Sequence, residues 1–193
     1  MQRQKEMILK FCIIIMLSVL SATGLHAQEQ EIPFPQYGTG PIHVFIYSNY
    51  SCPPCRDMEP AVDPILHDLL KRDAITLTLV DIPYSENCVL CARYFLYALK
   101  KKNDVDHAFF VKGVLFNEKV DKQPTTKARF EALFKSKGIP FEVFDPSPVF
   151  DRYNALIKRD KVKGTPTCVI VKGGKKEKFS GGPDIIAALK RLL

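Results

Sequence analysis

No apolar run in this 193-residue sequence is long enough to cross a membrane. The longest, Phe11–Leu20, has about half of the roughly twenty residues that a spanning helix needs, so a permanent anchor is not expected. Internal repeats and low-complexity tracts are missing too, which sets aside solenoid and disordered-array architectures. There is no Cys-x-x-Cys-His, because Ala92 follows Cys91, and covalent haem attachment is excluded. The net charge is +7, yet basic residues never cluster with aromatics between them. Lys100–Lys102 reads as a helix end and Lys172–Lys178 as a hairpin. The excess is therefore a solvated surface, and no nucleic-acid partner is expected. Tryptophan is absent altogether, and that excludes nothing.

What is present begins with an export signal. Arg3, Lys5 and Lys10 precede the apolar run, and Ser21-Ala22-Thr23-Gly24-Leu25-His26-Ala27 supplies small residues after it. This is the layout of a secretory signal peptide over residues 1–27, cut near Gly24 or Ala27. Leu9-Lys10-Phe11 ahead of Cys12 does not resemble a lipoprotein box. Cleavage removes Cys12 and leaves a net charge of about +5. The mature chain is expected to be soluble and extracytoplasmic, in a periplasm or similar compartment. Cysteine pairs there tend to be disulfides, structural or catalytic. Five cysteines remain: Cys52, Cys55, Cys88, Cys91 and Cys168. Four of them form two Cys-x-x-Cys pairs, a strong compositional oddity.

The pattern is α/β. Ile42–Tyr47 and Ala74–Ile82 read as strands around a helix from Cys52 to about Leu70, which makes a parallel pair with a right-handed crossover. Pro53 suits a first helical turn, and Pro60 is expected to kink the helix. About eighty residues then precede the next strand, too many for a loop in a compact domain. Four helical stretches fit there, at about 87–102, 105–118, 125–137 and 148–160, and nine of the thirteen phenylalanines lie in this region. They are expected to form a helical subdomain with its own aromatic core. Thr167–Lys172 and Lys176–Phe179 flank the hairpin signal Gly173-Gly174, and 183–193 closes as a helix.

The pair Cys52-Pro53-Pro54-Cys55 stands between a strand and a helix. Helical N–H groups and the helix dipole favour a thiolate at the first cysteine. That thiolate can attack a substrate disulfide, and the second cysteine can resolve the mixed disulfide. Cys52 is thus the expected nucleophile and Cys55 the resolving thiol. Gly164-Thr165-Pro166-Thr167 precedes the third core strand, where a cis X-Pro bond at Pro166 is expected to expose backbone groups to an extended substrate.

Gly40–Arg56, Glu86–Leu99 and Val162–Thr167 together resemble the DsbA-like branch of the thioredoxin superfamily, and the resemblance runs from Gly40 to the C-terminus. It implies a thioredoxin-like fold with a helical insertion between the second and third core strands. The core is then 41–82 with 164–193, the insertion 83–163, and 28–40 a lead-in. It also implies a thiol–disulfide oxidoreductase with Cys52 and Cys55 as catalytic pair, Pro53 and Pro54 as active-site loop, and Thr165–Pro166 as substrate-binding loop. No cofactor is implied beyond the redox-active disulfide. The implied partners are cysteine-containing envelope proteins and a membrane redox protein that recycles the pair. The lead-in is too short for the added N-terminal region that dimeric relatives use, so a monomer is expected.

Two departures stand out. Many relatives carry acids six and three positions before the first cysteine, where this sequence has Ile46 and Asn49. Losing the inner carboxylate slows resolution or leaves water to relay the proton, and losing negative charge near Cys52 favours the reduced form, which makes a better oxidant. Against this, Pro53-Pro54 lacks the histidine of the strongest oxidants. Oxidase or isomerase is the expected direction, with an envelope reductase as alternative. The second departure is Cys88-Val89-Leu90-Cys91, where relatives tend to have small residues. The two thiols are buried space-fillers, a structural disulfide, or a redox pair able to exchange with Cys52–Cys55. A non-enzymatic alternative has the two pairs binding zinc or copper through four sulfurs, although their long separation speaks against a metal site. Cys168 reads as a core thiol, and His43, His67 and His107 as surface or packing residues.

Overall fold

The computed structural model describes residues 32–118 and 125–193; the segment read as a signal peptide lies outside them. In chain order the elements are β1 (Gln36–Tyr37), β2 (Ile42–Ser48), α1 (Pro53–Lys71), β3 (Ile75–Asp81), α2 (Glu86–Lys101), α3 (Val105–Asn117), α4 (Lys127–Ser136), α5 (Ser147–Arg159), β4 (Thr167–Lys172), β5 (Lys175–Ser180) and α6 (Gly182–Lys190). No described helix is long and apolar enough to cross a membrane.

The sheet order is β1-β3-β2-β4-β5. β2 and β3 are parallel, with Ile42 opposite Ile75 and Ser48 opposite Asp81. Every residue of β3 is buried, as expected for a central strand covered on both faces. β4 runs antiparallel to β2 and β5 antiparallel to β4. Gly173 and Gly174 both take positive φ in the β4–β5 turn, the requirement of a two-residue hairpin that twists with its strands. The outer strand β5 carries exposed Lys175, Lys176 and Lys178, which blunt an edge open to pairing.

One strand has no counterpart in the sequence pattern. Gln36 and Tyr37 pair antiparallel with Thr78 and Leu77, so part of the lead-in borders the sheet. Gly40 lets the chain pass from β1 into β2, because a Cβ there would collide with the backbone of Asp73–Ile75. α1 continues through Pro60 and Pro64 to Lys71.

The helices α2–α5 all lie between β3 and β4. Their aromatic cluster centres on Tyr94, stacked on Phe130 at 4.9 Å and edge-on to Phe134 and Tyr97 at 5.5 Å. It is not a separate core. Tyr50, in the loop after β2, contacts Phe116 at 5.0 Å and Phe95 at 6.3 Å, and one apolar cluster runs from these rings to Val44, Leu66 and Leu189. α3 also docks on α1 through a buried cation. Lys112 Nζ lies between Glu59 and Asp63, 2.7 Å from the latter, and 4.6 Å from the Phe109 ring.

Candidate active site

β2 ends at Ser48, and the chain turns through Asn49–Cys52 into α1. The turn is closed by the Cys52 N–H on the Asn49 carbonyl at 3.1 Å. Asn49 is fully buried and organises the turn. Its Oδ1 accepts from the Ser51 N–H at 2.8 Å and the Ser51 hydroxyl at 2.6 Å, and its Nδ2 donates to the Ile82 carbonyl. Asn49 is thus the knot between the ends of β2 and β3, at the position where an acid was noted as missing.

Cys52 is the N-cap of α1, with extended backbone, and Pro53 follows at the first helical position. Its Sγ accepts from the Cys55 N–H at 3.3 Å and lies 3.5 Å from the Thr165 carbonyl oxygen, to which the thiol donates. Of the five described cysteines, Cys52 alone is partly exposed. Cys55, one turn in, is buried; burial first, and its hydrogen bond with Cys52 second, hold its thiol well above the ordinary range.

The Thr165–Pro166 peptide is cis. The loop is held by Thr167 Oγ1 on the Gly164 carbonyl at 2.8 Å and by the Gly181 N–H on the Pro166 carbonyl at 3.1 Å. A groove of about 400 Å³ runs beside it, lined by Pro54, Lys163, Thr165, Pro166, Lys178 and Gly181. The residues 113 apart in sequence are therefore brought together as expected. Tyr84 was not anticipated. It is 61% exposed, and its phenol is held above the ordinary range by desolvation first and by proximity to Cys52 and Cys55 second, so the ring stands at the mouth of the site.

The second pair is arranged differently from the first. Ser85 caps α2 and accepts the Cys88 N–H at 3.4 Å, so Cys88 is the third helical residue and Cys91 the sixth. Helical residues three apart stand about 5–6 Å apart at Cβ, whereas a disulfide needs about 3.5–4.5 Å. A Cys88–Cys91 bond therefore asks the first turn of α2 to unwind, whereas the N-cap position of Cys52 brings it to Cys55 without that. Cys88 Sγ faces Ser51 Oγ at 3.0 Å, Ser85 Oγ at 3.1 Å and Asn49 Oδ1 at 3.4 Å. Burial pushes its thiol up, but the hydrogen bonds outweigh burial and hold it below the ordinary value. Cys91 is pushed well up, by burial first and by Asp81 second. Asp81, at the end of β3, is buried with neither carboxyl oxygen hydrogen-bonded, and burial, then Cys88, raise it well above the carboxylate range.

Cys168 lies in β4, fully buried, its thiol pushed up to about 12 by burial alone. His67 has a partner that spacing did not reveal, Asp106 at 2.6 Å, 39 residues away. Among the described residues no three cysteine, histidine or acidic side chains converge as metal ligands, so the four sulfurs of the two pairs do not share a point.

A family model described as thioredoxin matches residues 39–180. Among solved structures, the thiol-disulfide exchange protein alpha-DsbA2 from Wolbachia pipientis is 17% identical, with a TM-score of 0.64 over 82% of this chain and 85% of that one. A periplasmic thioredoxin-like protein from Salmonella enterica serovar Typhimurium is 18% identical, with a TM-score of 0.61 over 84% and 91%. The catalytic domain of Proteus mirabilis ScsC is 17% identical, with a TM-score of 0.62 over 85% and 91%. At these identities the likeness is one of fold. Among curated proteins none matches the sequence significantly.

Proposed function

The chain belongs to the thioredoxin family, and we propose that it is an exported thiol–disulfide oxidoreductase acting on cysteine-containing envelope proteins, as an oxidase or isomerase. One observation carries this reading: the partly exposed Cys52 caps the helix whose third residue is the buried Cys55. The oxidised form holds the Cys52–Cys55 disulfide. A substrate thiolate attacks Cys52 Sγ, the Cys52–Cys55 bond breaks, and Cys55 leaves and takes up a proton. A second substrate thiolate then attacks the substrate sulfur, forms the substrate disulfide and releases Cys52. Two electrons pass from substrate to enzyme, and a membrane redox partner removes them.

The direction follows from which thiol must resolve. A reductase needs Cys55 to lose its proton and attack the mixed disulfide. Here burial holds that proton tightly, and Ile46 and Asn49 offer no carboxylate to receive it. An oxidase is resolved by the second thiol of its substrate and does not wait for Cys55. A slowly resolved mixed disulfide also leaves time for isomerisation. The signal-like N-terminus and the periplasmic setting of the Salmonella neighbour support export.

The test is oxidation of a reduced, unfolded two-cysteine protein by the oxidised mature chain. Cys52→Ser is expected to abolish it. The reduction potential decides direction: a couple between about −180 and −120 mV supports disulfide donation, and one near about −270 mV, the thioredoxin value, supports a reductase.

A further inference from the structure

The two helix starts at this edge of the sheet have the same construction with one atom changed. α1 begins with Cys52 as N-cap over Cys55, and α2 begins with Ser85 as N-cap over Cys88. In each, the N-cap side chain accepts the N–H of a cysteine three residues on, at 3.3 Å and 3.4 Å. Cys88 thus occupies in α2 the position that Cys55 occupies in α1. The Cys-x-x-Cys spacing of Cys88 and Cys91 is incidental to this; the meaningful unit is Ser85-Glu86-Asn87-Cys88.

We propose that Cys88 is a second resolving thiol of the same active site, forming a disulfide with Cys52 in competition with Cys55. The proposal rests on the reading of Cys52 as nucleophile. Its geometry has two parts. Cys88 Sγ is 3.0 Å from the hydroxyl of Ser51, the residue adjoining Cys52. The Asn49–Cys52 turn that carries both is closed by one backbone hydrogen bond and by the Asn49 side chain on Ser51, whose two contacts the exchange must release, and Cys52 Sγ is held by a 3.3 Å and a 3.5 Å contact. A swing of the turn that puts Cys52 where Ser51 stands brings the sulfurs within bonding reach.

The step balances as follows. In the mixed disulfide, Cys52 Sγ is bonded to the substrate sulfur. Cys88 attacks Cys52 Sγ, and its proton passes to the departing substrate sulfur. The Cys52–Cys88 bond forms, the bond to substrate breaks, and the substrate leaves as a thiol. The enzyme is oxidised by two electrons and the substrate sulfur reduced. Ser85 already donates to Cys88 Sγ, and the Ser51 hydroxyl, now turned to Asn49, can rotate to donate as well. The hydroxyls hold the Cys88 thiol below its ordinary value, which favours it as the attacking sulfur.

The experiment uses the mature chain with oxidised glutathione as probe. After acid quenching and alkylation, the Cys55→Ser variant is expected to hold a Cys52–Cys88 disulfide found by peptide mapping. The Cys55→Ser/Cys88→Ser variant is expected to stay glutathionylated at Cys52, with a lifetime longer by about tenfold or more. Cys91→Ser added to Cys55→Ser should leave the cross-link intact. Equal lifetimes with and without Cys88, or a cross-link joining Cys88 to Cys91, overturn the proposal. Failure of Cys52 to be glutathionylated in the Cys55→Ser/Cys88→Ser variant overturns the underlying reading instead. Should Cys88→Ser not fold, Cys88→Ala in the same background serves the same comparison, since it keeps the volume low and removes only the thiol.

Discussion

Tyr47 donates its hydroxyl to the carboxylate of Asp160, 113 residues further along the chain. Asp160 also receives Arg159 at 2.7 Å and Lys176 at 2.6 Å, and its side chain is fully buried. The contact ties β2, which ends at the active-site turn, to the end of α5 and to β5. Desolvation alone would raise this carboxyl, but hydrogen bonds from Arg159, Lys176 and Tyr47 overcome it and hold it at about 2, below its ordinary 3.8. A depressed carboxylate stabilises the fold above its unfolded value and loses that contribution as pH falls through the folded one. Asp160→Asn is therefore expected to cost on the order of 2 kcal/mol at pH 7. The difference should shrink below about pH 4 and vanish near pH 2, as measured by urea unfolding across that range.

The buried cation between α1 and α3 gives the opposite sign. Lys112 is paired with Glu59 and Asp63, and burial raises the Glu59 carboxyl to about 7 even though Lys112 opposes it. Lys112→Met leaves that carboxyl buried without its counter-charge. A loss of about 3–5 kcal/mol is expected at pH 8. A carboxyl raised in the folded state binds its proton more tightly there, so the loss should recede as pH falls below about 6. Glu59→Gln added to Lys112→Met should recover most of the deficit at pH 8. Thermal unfolding of the three proteins at pH 5 and pH 8 checks both statements.

Tyr84 stands at the mouth of the site with most of its ring in solvent. An exposed aromatic beside a nucleophile adds contact area for a polypeptide and nothing for a small dithiol. Tyr84→Ala is expected to lower kcat/KM for a reduced protein substrate by about threefold to tenfold. Oxidation of dithiothreitol, and the reduction potential of the Cys52–Cys55 couple, should stay as they are. A matching loss with dithiothreitol would mean that the ring acts on the cysteines and not on the substrate.

What could be read in the sequence was what local chemistry dictates. The helix start at Cys52-Pro53 is written in a proline suited to a first turn, and the β4–β5 hairpin in an apolar run followed by the two-glycine turn Gly173-Gly174. β1 was invisible because two residues carry no period. Asn49, Ser51, Ser85 and Cys88 form one hydrogen-bonded cluster only because parallel β2 and β3 bring together residues 37 and 39 apart. The equal spacing of the two cysteine pairs was misleading for a definable reason: spacing does not say where a helix starts. Ser85 was the available signal, since serine three residues ahead of Cys88 is a preferred N-cap. It moves the second pair inward by three positions relative to the first.

Charge around the Thr165–Pro166 loop argues for a substrate preference. From Lys158 to Ser180, the stretch that contains the loop, the chain has eight basic and two acidic residues. Arg159 and Lys176 are neutralised by Asp160, but Lys163 and Lys178 line the groove itself, the latter anchored on the Asp160 and Lys161 carbonyls at 3.4 Å and 3.1 Å. Fixed cations along a groove draw in segments of opposite sign and raise association rates at low salt. Peptides with Asp or Glu beside the reacting cysteine are expected to exchange about tenfold faster at low ionic strength than the same peptides with Lys there. The advantage should fade as salt shortens the screening distance. Lys163→Glu/Lys178→Glu should invert the order of the two peptides while leaving the rate with neutral dithiothreitol unchanged. An order that survives the double charge reversal would move the preference away from this groove.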